Sequence, residues 1–339
     1  MTDGPDLAHV ASALQEWANE RFGDGTDLVT DPSAVSGGLD TFIFRFRLSR
    51  GDLRPLILRL YPSTTRAPSA EREVAILRFL DGTGYPAPRP VDAGTLGPPV
   101  GLPFVIMEEV PGKTALERLS ARPHRASRLV ESMAAAQASL HALDPTAWPL
   151  PIPPGDEIGR RLDKVESTAT DDPALVDALH WLQHHRGDVE GEDPAVCHYD
   201  FHPLNTIVDD DGRLAVIDWE GAGLGDRHSD LARSMVLYEW SPVVAKSKVE
   251  RIVLRVAKPP LLKRYRAAYA RHLPIDERRL QYWLAFHAAE SWWEATTLLA
   301  GTFTRDTRLD ERTRAATLVA PAMAGLFARL VPDAGRTTH

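Results

Sequence analysis

One stretch constrains this chain more than any other. Val196 to Val208 carries His198, Asp200, His202, Pro203 and Asn205 between short apolar runs, and Leu214 to Ile217 leads directly into Asp218. Between the two lies Asp209-Asp210-Asp211-Gly212. Its Asp-Gly pair supplies the positive φ that a tight hairpin turn uses. A ribbon of this kind gathers Asp200, Asn205 and Asp218 at one end. Oxygen ligands suit a hard divalent cation, and a carboxylate beside a hydroxyl suits a general base.

His198, Asp200 and Asn205 have the order H-x-D-x-x-x-x-N, and a strand-borne Asp218 follows. That order is the one used in kinase-type phosphoryl transfer. In its particular form, His-Tyr-Asp-Phe-His-Pro-Leu-Asn and then Ile-Asp-Trp-Glu, the chain resembles the aminoglycoside phosphotransferase family, which includes kinases for other antibiotics, choline and homoserine. The resemblance implies an α+β, protein-kinase-like two-lobe fold. Residues 1–110 would form a small antiparallel-sheet N-terminal lobe, and 111–339 a larger, mainly helical C-terminal lobe. It also implies ATP, or GTP, as phosphoryl donor and a hydroxyl of a small molecule, an antibiotic among the candidates, as acceptor. Asp200 would be the catalytic base, and Asn205 and Asp218 would hold Mg²⁺. The likeness runs well over residues 30 to 240 and more loosely beyond.

Three other readings compete. His198, Asp200 and His202 alternate, so on an extended strand they would share a face and could ligate zinc in a hydrolase. Pro203 and the Asn205 spacing fit a loop better. An ordinary hairpin with solvated polar groups is the plainest reading. A nucleotide-binding module without catalysis rests on one departure, Arg59, described below. A protein kinase fits worse: Tyr199 stands where an Arg would sense a phosphorylated loop, and Trp219-Glu220 replaces Phe-Gly. Constitutive activity on a small acceptor is therefore expected.

Net charge bears on partners. With 39 Lys and Arg against 47 Asp and Glu, the chain carries -8, which argues against nucleic acid. The only cysteine, Cys197, cannot form an internal disulfide, and a reducing cytoplasm fits. Met1 to Asp6 is acidic with no apolar core behind it, and the apolar run Ala315 to Ala328 is short and broken by Pro321, so no leader and no membrane span are expected. Oligomeric state leaves no readable mark.

In the N-terminal part, Asp6 caps an amphipathic helix to Phe22, with Leu7, Val10, Leu14 and Trp17 as its apolar stripe. Ser36, Gly37 and Gly38 precede the alternating strand Phe42 to Leu48. Glycines there let backbone N–H groups approach phosphates, and the resemblance makes this the phosphate-covering loop. In Leu56 to Tyr61, the leucines share one face and Arg59 projects to the other. A cation in such a strand needs a partner. Glu73, on the helix Ser69 to Leu80, is the nearest candidate. The resemblance gives this pair the grip on the nucleotide phosphates, with Arg59 in place of the usual Lys. Tyr85 to Pro103, dense in Pro and Gly, reads as loop and irregular edge structure. Gly101 to Gly112 reads as an apolar strand running out into acidic residues and a Pro-Gly break. By resemblance it is the hinge, with Met107 beside the nucleotide and main-chain groups of Glu108 to Val110 holding the adenine.

Beyond the hinge, Thr114 to Glu117 is a capping box. His141 reads as a packing histidine, and His180, His184 and His185 as a polar helix face. Asp230 reads as a brace for the catalytic loop. A helix opening at Asp276 carries His287, Glu290 and Glu294 at i, i+3 and i+7 beside Trp292 and Trp293. The resemblance makes that acidic, aromatic face the acceptor site, with Glu220 added from the metal loop, while the same pattern reads equally as a partly exposed helix with core tryptophans.

Overall fold

The computed structural model describes residues 5–35, 41–151, 157–166, 172–189, 191, 194–240, 248–301 and 309–332. Helix α1 (Leu7–Phe22) starts at Asp6, whose carboxylate accepts the Ala8 N–H at 2.7 Å, and ends at Gly23. It covers the outer face of an antiparallel five-stranded sheet, in the order β1 (Leu28–Ala34), β2 (Phe42–Leu48), β3 (Leu56–Leu60), β5 (Pro103–Glu108), β4 (Pro90–Thr95). The period-2 rule decides what each face does. Phe44, Phe46, Leu48, Leu56, Leu58 and Leu60 pack with Val10, Leu14 and Trp17 into one core. Each large apolar side chain buried there contributes about 1.5–3 kcal/mol relative to exposure. Leu7, expected in the helix stripe, is instead exposed.

The opposite face carries Ile57 and Arg59 and turns toward helix α2 (Ala67–Thr83), which buries Ala70, Glu73, Val74, Ile76, Leu77 and Leu80. Gly84, in the left-handed region at φ 72°, closes α2. The Pro- and Gly-rich segment expected to be irregular contains β4, an edge strand that begins with Pro90 and slips register against β5.

At Gly112 the chain leaves the sheet. Its φ is 135°, and a Cβ there would lie 2.3 Å from the Val208 carbonyl oxygen, so only glycine passes. Then come β6 (Lys113–Thr114), α3 (Ala115–Ala121), α4 (Ala126–His141), α5 (Glu157–Glu166) and α6 (Pro173–His185). The Thr114–Glu117 capping box forms with both of its hydrogen bonds. Strand β7 (Ala195–Cys197) leads to the ribbon β8 (Thr206–Val208) and β9 (Leu214–Val216), and β10 (Gly223–Gly225) returns to pair with β7. Helices α7 (Arg227–Trp240), α8 (Lys248–Ala270), α9 (Glu277–Leu299) and α10 (Leu309–Leu330) complete the large lobe. Helix α9 packs against α6, α7 and α10 and is buried on most of its faces, Arg279, His287 and Ser291 among the enclosed side chains. That corrects one expectation: Trp292 and Trp293 are buried core side chains, not an aromatic surface. Among the described residues no helix is long and apolar enough to cross a membrane.

Candidate active site

The β8–β9 hairpin sets the geometry. Thr206 pairs with Val216 and Val208 with Leu214, with Gly212 at φ 85° in the turn. Ile217 N–H donates to the Asn205 carbonyl oxygen at 2.9 Å, which holds residues 205 and 218 side by side. The Asn205 amide nitrogen donates to the Asp200 carboxylate at 2.8 Å and to the Asp200 main-chain oxygen at 3.1 Å. Its amide oxygen is thereby left to face a cation. Asp218 lies in the left-handed region at φ 69°, where a non-glycine residue stores strain of the order of 1–3 kcal/mol. Asp200 and Asn205 are thus in direct contact, and Asp218 follows the residue bonded to Asn205.

Tyr199, at φ 61°, is also left-handed, and this kink overturns the zinc reading. It breaks the strand alternation, so His198 turns inward while Asp200 faces the cleft. His198 is wholly buried against Trp219. Its Nε2 donates to the Ile217 oxygen at 3.0 Å, and its Nδ1 accepts the Asp200 N–H at 3.2 Å. Both ring nitrogens are taken, so this histidine ties the catalytic loop to the strand before Asp218.

Tyr199 N–H in turn donates to Asp230, whose other oxygen receives Gln137 at 2.9 Å and His141 at 2.8 Å. Asp230 is fully buried. The brace read from sequence is therefore real, and His141 is the satisfied packing histidine expected. His202 Nε2 stands 3.3 Å from the Asp200 carboxylate. Burial pushes the Asp200 carboxyl up. The hydrogen bond and charge of His202, with the charges of His198 and Arg233, outweigh it and hold the carboxyl below the ordinary aspartate value.

Across the cleft, Arg59 NH1 donates to Glu73 at 2.7 Å and to Asp218 at 3.0 Å. Tyr61 donates its hydroxyl to the second Glu73 oxygen. Burial works against the arginine charge, but Glu73 and Asp218 outweigh it and raise the Arg59 pKa. The guanidinium is thus tied both to the helix carboxylate and to Asp218. Arg66 reaches Glu220, Arg59 NH2 lies 3.7 Å from the same carboxylate, and Arg72 donates to the Glu220 and Ala222 carbonyls. Glu220 is thus turned to the small lobe, not to the C-terminal helices where an acceptor contact was expected.

Sequence reasoning missed Tyr61, Arg66 and Arg72. For Tyr61 a signal existed: it shares the parity of Arg59 on the strand. Arg66 and Arg72 look like solvated helix charges until the metal loop is placed against them.

At the hinge, Met107 is buried and sits opposite Ile57 on the cleft side of the sheet. The Glu108 N–H is taken by the Arg89 oxygen and the Glu109 N–H by the Pro55 oxygen. Adenine recognition through those two donors is excluded, and Val110 N–H makes no such main-chain bond among the described residues. Ser36, Gly37 and Gly38 lie outside the described residues. A cavity of about 560 Å³ lined by Arg89, Glu108, Val110 and Arg213 includes none of Arg59, Asp200, Asn205 or Asp218.

On α9, His287 is fully buried, with Nε2 3.1 Å from Ser229 Oγ and Nδ1 3.1 Å from Glu290. Its ring cannot contact an acceptor, contrary to expectation. Glu290 is ion-paired to Arg161 at 2.8 Å, and Glu294 is half-buried and engaged. Burial lowers the His287 pKa to about 4, and Arg161 adds to this against the Glu290 hydrogen bond. A histidine with a depressed folded-state pKa takes up its proton first in the unfolded chain. Stability should therefore fall as the pH drops from about 6.5 toward 4, by up to about 1.4 kcal/mol per pH unit from this group. Urea midpoints of wild type and His287→Gln across that range would check it: the variant should show the shallower decline.

A two-lobe α+β architecture with a strand cation, its helix carboxylate and a hairpin carrying Asp200, Asn205 and Asp218 is that of a kinase-like phosphotransferase. The family model described as "Phosphotransferase enzyme family" matches residues 34–283, and the chain belongs to that family. It is 34% identical over 199 residues to the aminoglycoside 3'-phosphotransferase of Streptomyces fradiae, covering 52% of this chain and 69% of that one. It is 31% identical over 204 residues to mouse acyl-CoA dehydrogenase family member 10, covering 55% of this chain but only 18% of that protein's length. The fold matches a thermostable mutant of the aminoglycoside phosphotransferase APH(4)-Ia in ternary complex with AMP-PNP and hygromycin B, with a TM-score of 0.64, 19% identity, and 96% and 100% of the two chains covered.

Proposed function

We propose that this protein transfers the γ-phosphoryl group of ATP, or GTP, to a hydroxyl of a small molecule, with residues 1–110 and 111–339 acting as its two lobes. The observation that carries the reading is the convergence of Asp200, Asn205 and Asp218 with the buried Arg59–Glu73 pair on the facing lobe.

The residues fit a magnesium nucleotide. Asp218 offers carboxylate oxygens and Asn205 an amide oxygen, the donor set a hard cation takes. Two buried donors with no hydrogen-bond partner among the described residues, Arg59 Nε and Thr41 Oγ1, suit phosphate oxygens. Bound there, the metal would neutralise charge on the phosphates. Arg59, fixed by Glu73 and Tyr61, would hold those phosphates in line. Met107 and Val110 N–H would border the adenine, and Ser36, Gly37 and Gly38 would cover the phosphates. Asp200 would orient the acceptor hydroxyl. Its lowered pKa means that it takes the proton late, as the bond to phosphorus forms. Nearly all of this is positioning and charge compensation.

Calorimetric titration with AMP-PNP tests the metal assignment. Mg²⁺ should strengthen binding to wild type, and Asp218→Asn should remove at least about tenfold of that gain, since even indirect supports of a metal cost 10- to 100-fold. An unchanged magnesium effect would sink the assignment.

A further inference from the structure

Beyond Asp200, the large lobe carries a second polar cluster, shared by α5, α7 and α9. Arg161 NH2 donates to both oxygens of Glu290, at 2.9 and 2.8 Å, and its guanidinium stands 4.6 Å from the centroid of the Phe286 ring. Arg233 lies on α7, three residues past the Asp230 that braces the catalytic loop. It donates through NH1 to Ser291 Oγ at 3.2 Å and, among the described residues, forms no ion pair.

The charges here do not balance as the sequence alone suggests. Glu290, the carboxylate that would greet a cationic acceptor, is already answered by Arg161 with two bonds. His287 beside it is neutral, its pKa lowered to about 4 chiefly by burial. Glu294, a turn further along α9, is engaged as well. Arg233 is the charge here that has no carboxylate within ion-pair distance among the described residues. It is half-buried on α7, and its positive charge acts on Asp200, His287 and Glu290 alike. A guanidinium has five donors in a planar fork suited to carboxylate or phosphate oxygens, and one hydrogen bond leaves most of them to spare. A polyamine brought to this side of Asp200 would meet an arginine and carboxylates that already have partners.

We infer that Arg233 binds the acceptor through an anionic group, so that the acceptor is a hydroxylated organic acid or phosphate ester, not an amino sugar. The inference rests on the phosphotransferase reading and narrows its substrate class. Glu290 tunes the site: its negative charge opposes an anion, and neutralising it would remove that opposition.

The test is a panel of hydroxy acids, each beside its amide, and of sugar phosphates, each beside its free sugar, with kanamycin as the cationic arm. All are assayed for ATP- and Mg²⁺-dependent ADP release and phosphoester formation. At least one anion should exceed both its neutral counterpart and kanamycin in kcat/KM, and the two anionic arms separate carboxylate from phosphate recognition. Arg233→Gln should raise the KM for that anion about ten- to a hundredfold, the loss expected for hydrogen bonds to a charged group. Glu290→Gln should lower it. Opposite signs distinguish binding from a structural role, which would weaken both variants. Neutral or amino acceptors proving better, no anion being taken by an enzyme that binds AMP-PNP with Mg²⁺, or both variants shifting the same way would each overturn the inference. Failure to bind AMP-PNP with Mg²⁺ at all would instead overturn the phosphotransferase reading.

Discussion

Asp200→Asn is expected to lower kcat by about 10²- to 10⁴-fold, the usual contribution of a positioned general base, while leaving the Kd for AMP-PNP within about threefold of wild type. The split follows from where Asp200 sits. Its carboxylate contacts Asn205 and His202 but not Arg59 or Glu73, the residues assigned to the phosphates. Asparagine keeps the shape and still accepts a hydrogen bond from Asn205, so the loop should hold its form. Steady-state rates with an accepted substrate and calorimetry with AMP-PNP read the two halves separately. Equal losses in both would place Asp200 in nucleotide binding.

Glu73→Leu should be the most destabilising single change in the small lobe. The Glu73 side chain is 2% exposed and Arg59 11%, so the substitution leaves a guanidinium inside the sheet–helix interface with only Asp218 and Glu220 nearby. Breaking a buried pair in this way typically costs about 3–5 kcal/mol, whereas replacing both partners with apolar residues of similar size is often neutral or stabilising. The double variant Arg59→Met/Glu73→Leu should therefore recover most of the lost urea midpoint, with Tyr61 losing its acceptor as the residual penalty. Phosphoryl transfer should stay abolished in the double variant, because the cation assigned to the phosphates is gone. Recovery of activity along with stability would remove Arg59 from the mechanism.

The hairpin ribbon was legible in the sequence because its signals are local. A turn signal, a fixed spacing and one strand place Asp200, Asn205 and Asp218 within about twenty residues of chain. The Arg59–Glu73 pair was legible for a related reason: period 2 in the strand and the parity of a helix face both point at a missing partner. Long-range partners left no such trace. Nothing near Glu290 in sequence announces Arg161 on another helix, so an acidic face was expected where the fold builds a neutral one. His198 and Asp200 alternate in sequence, but the left-handed Tyr199 turns them to different sides. Trp292 and Trp293 could be surface or core on periodicity alone, and only the packing of α10 and α6 around α9 decides for core. Edge strand β4 was hidden by its own Pro90 and Gly94, which an edge tolerates.

The central claim is that this cleft moves phosphate from a nucleotide to a hydroxyl. Phosphorus NMR of wild type with ATP, Mg²⁺ and the acceptor panel tests it most directly. One new phosphomonoester resonance should appear for every ATP converted to ADP, and it should be lost in Asp200→Asn. ATP consumed with all of its phosphate released as free inorganic phosphate, or an undiminished phosphoester signal from Asp200→Asn, would contradict it.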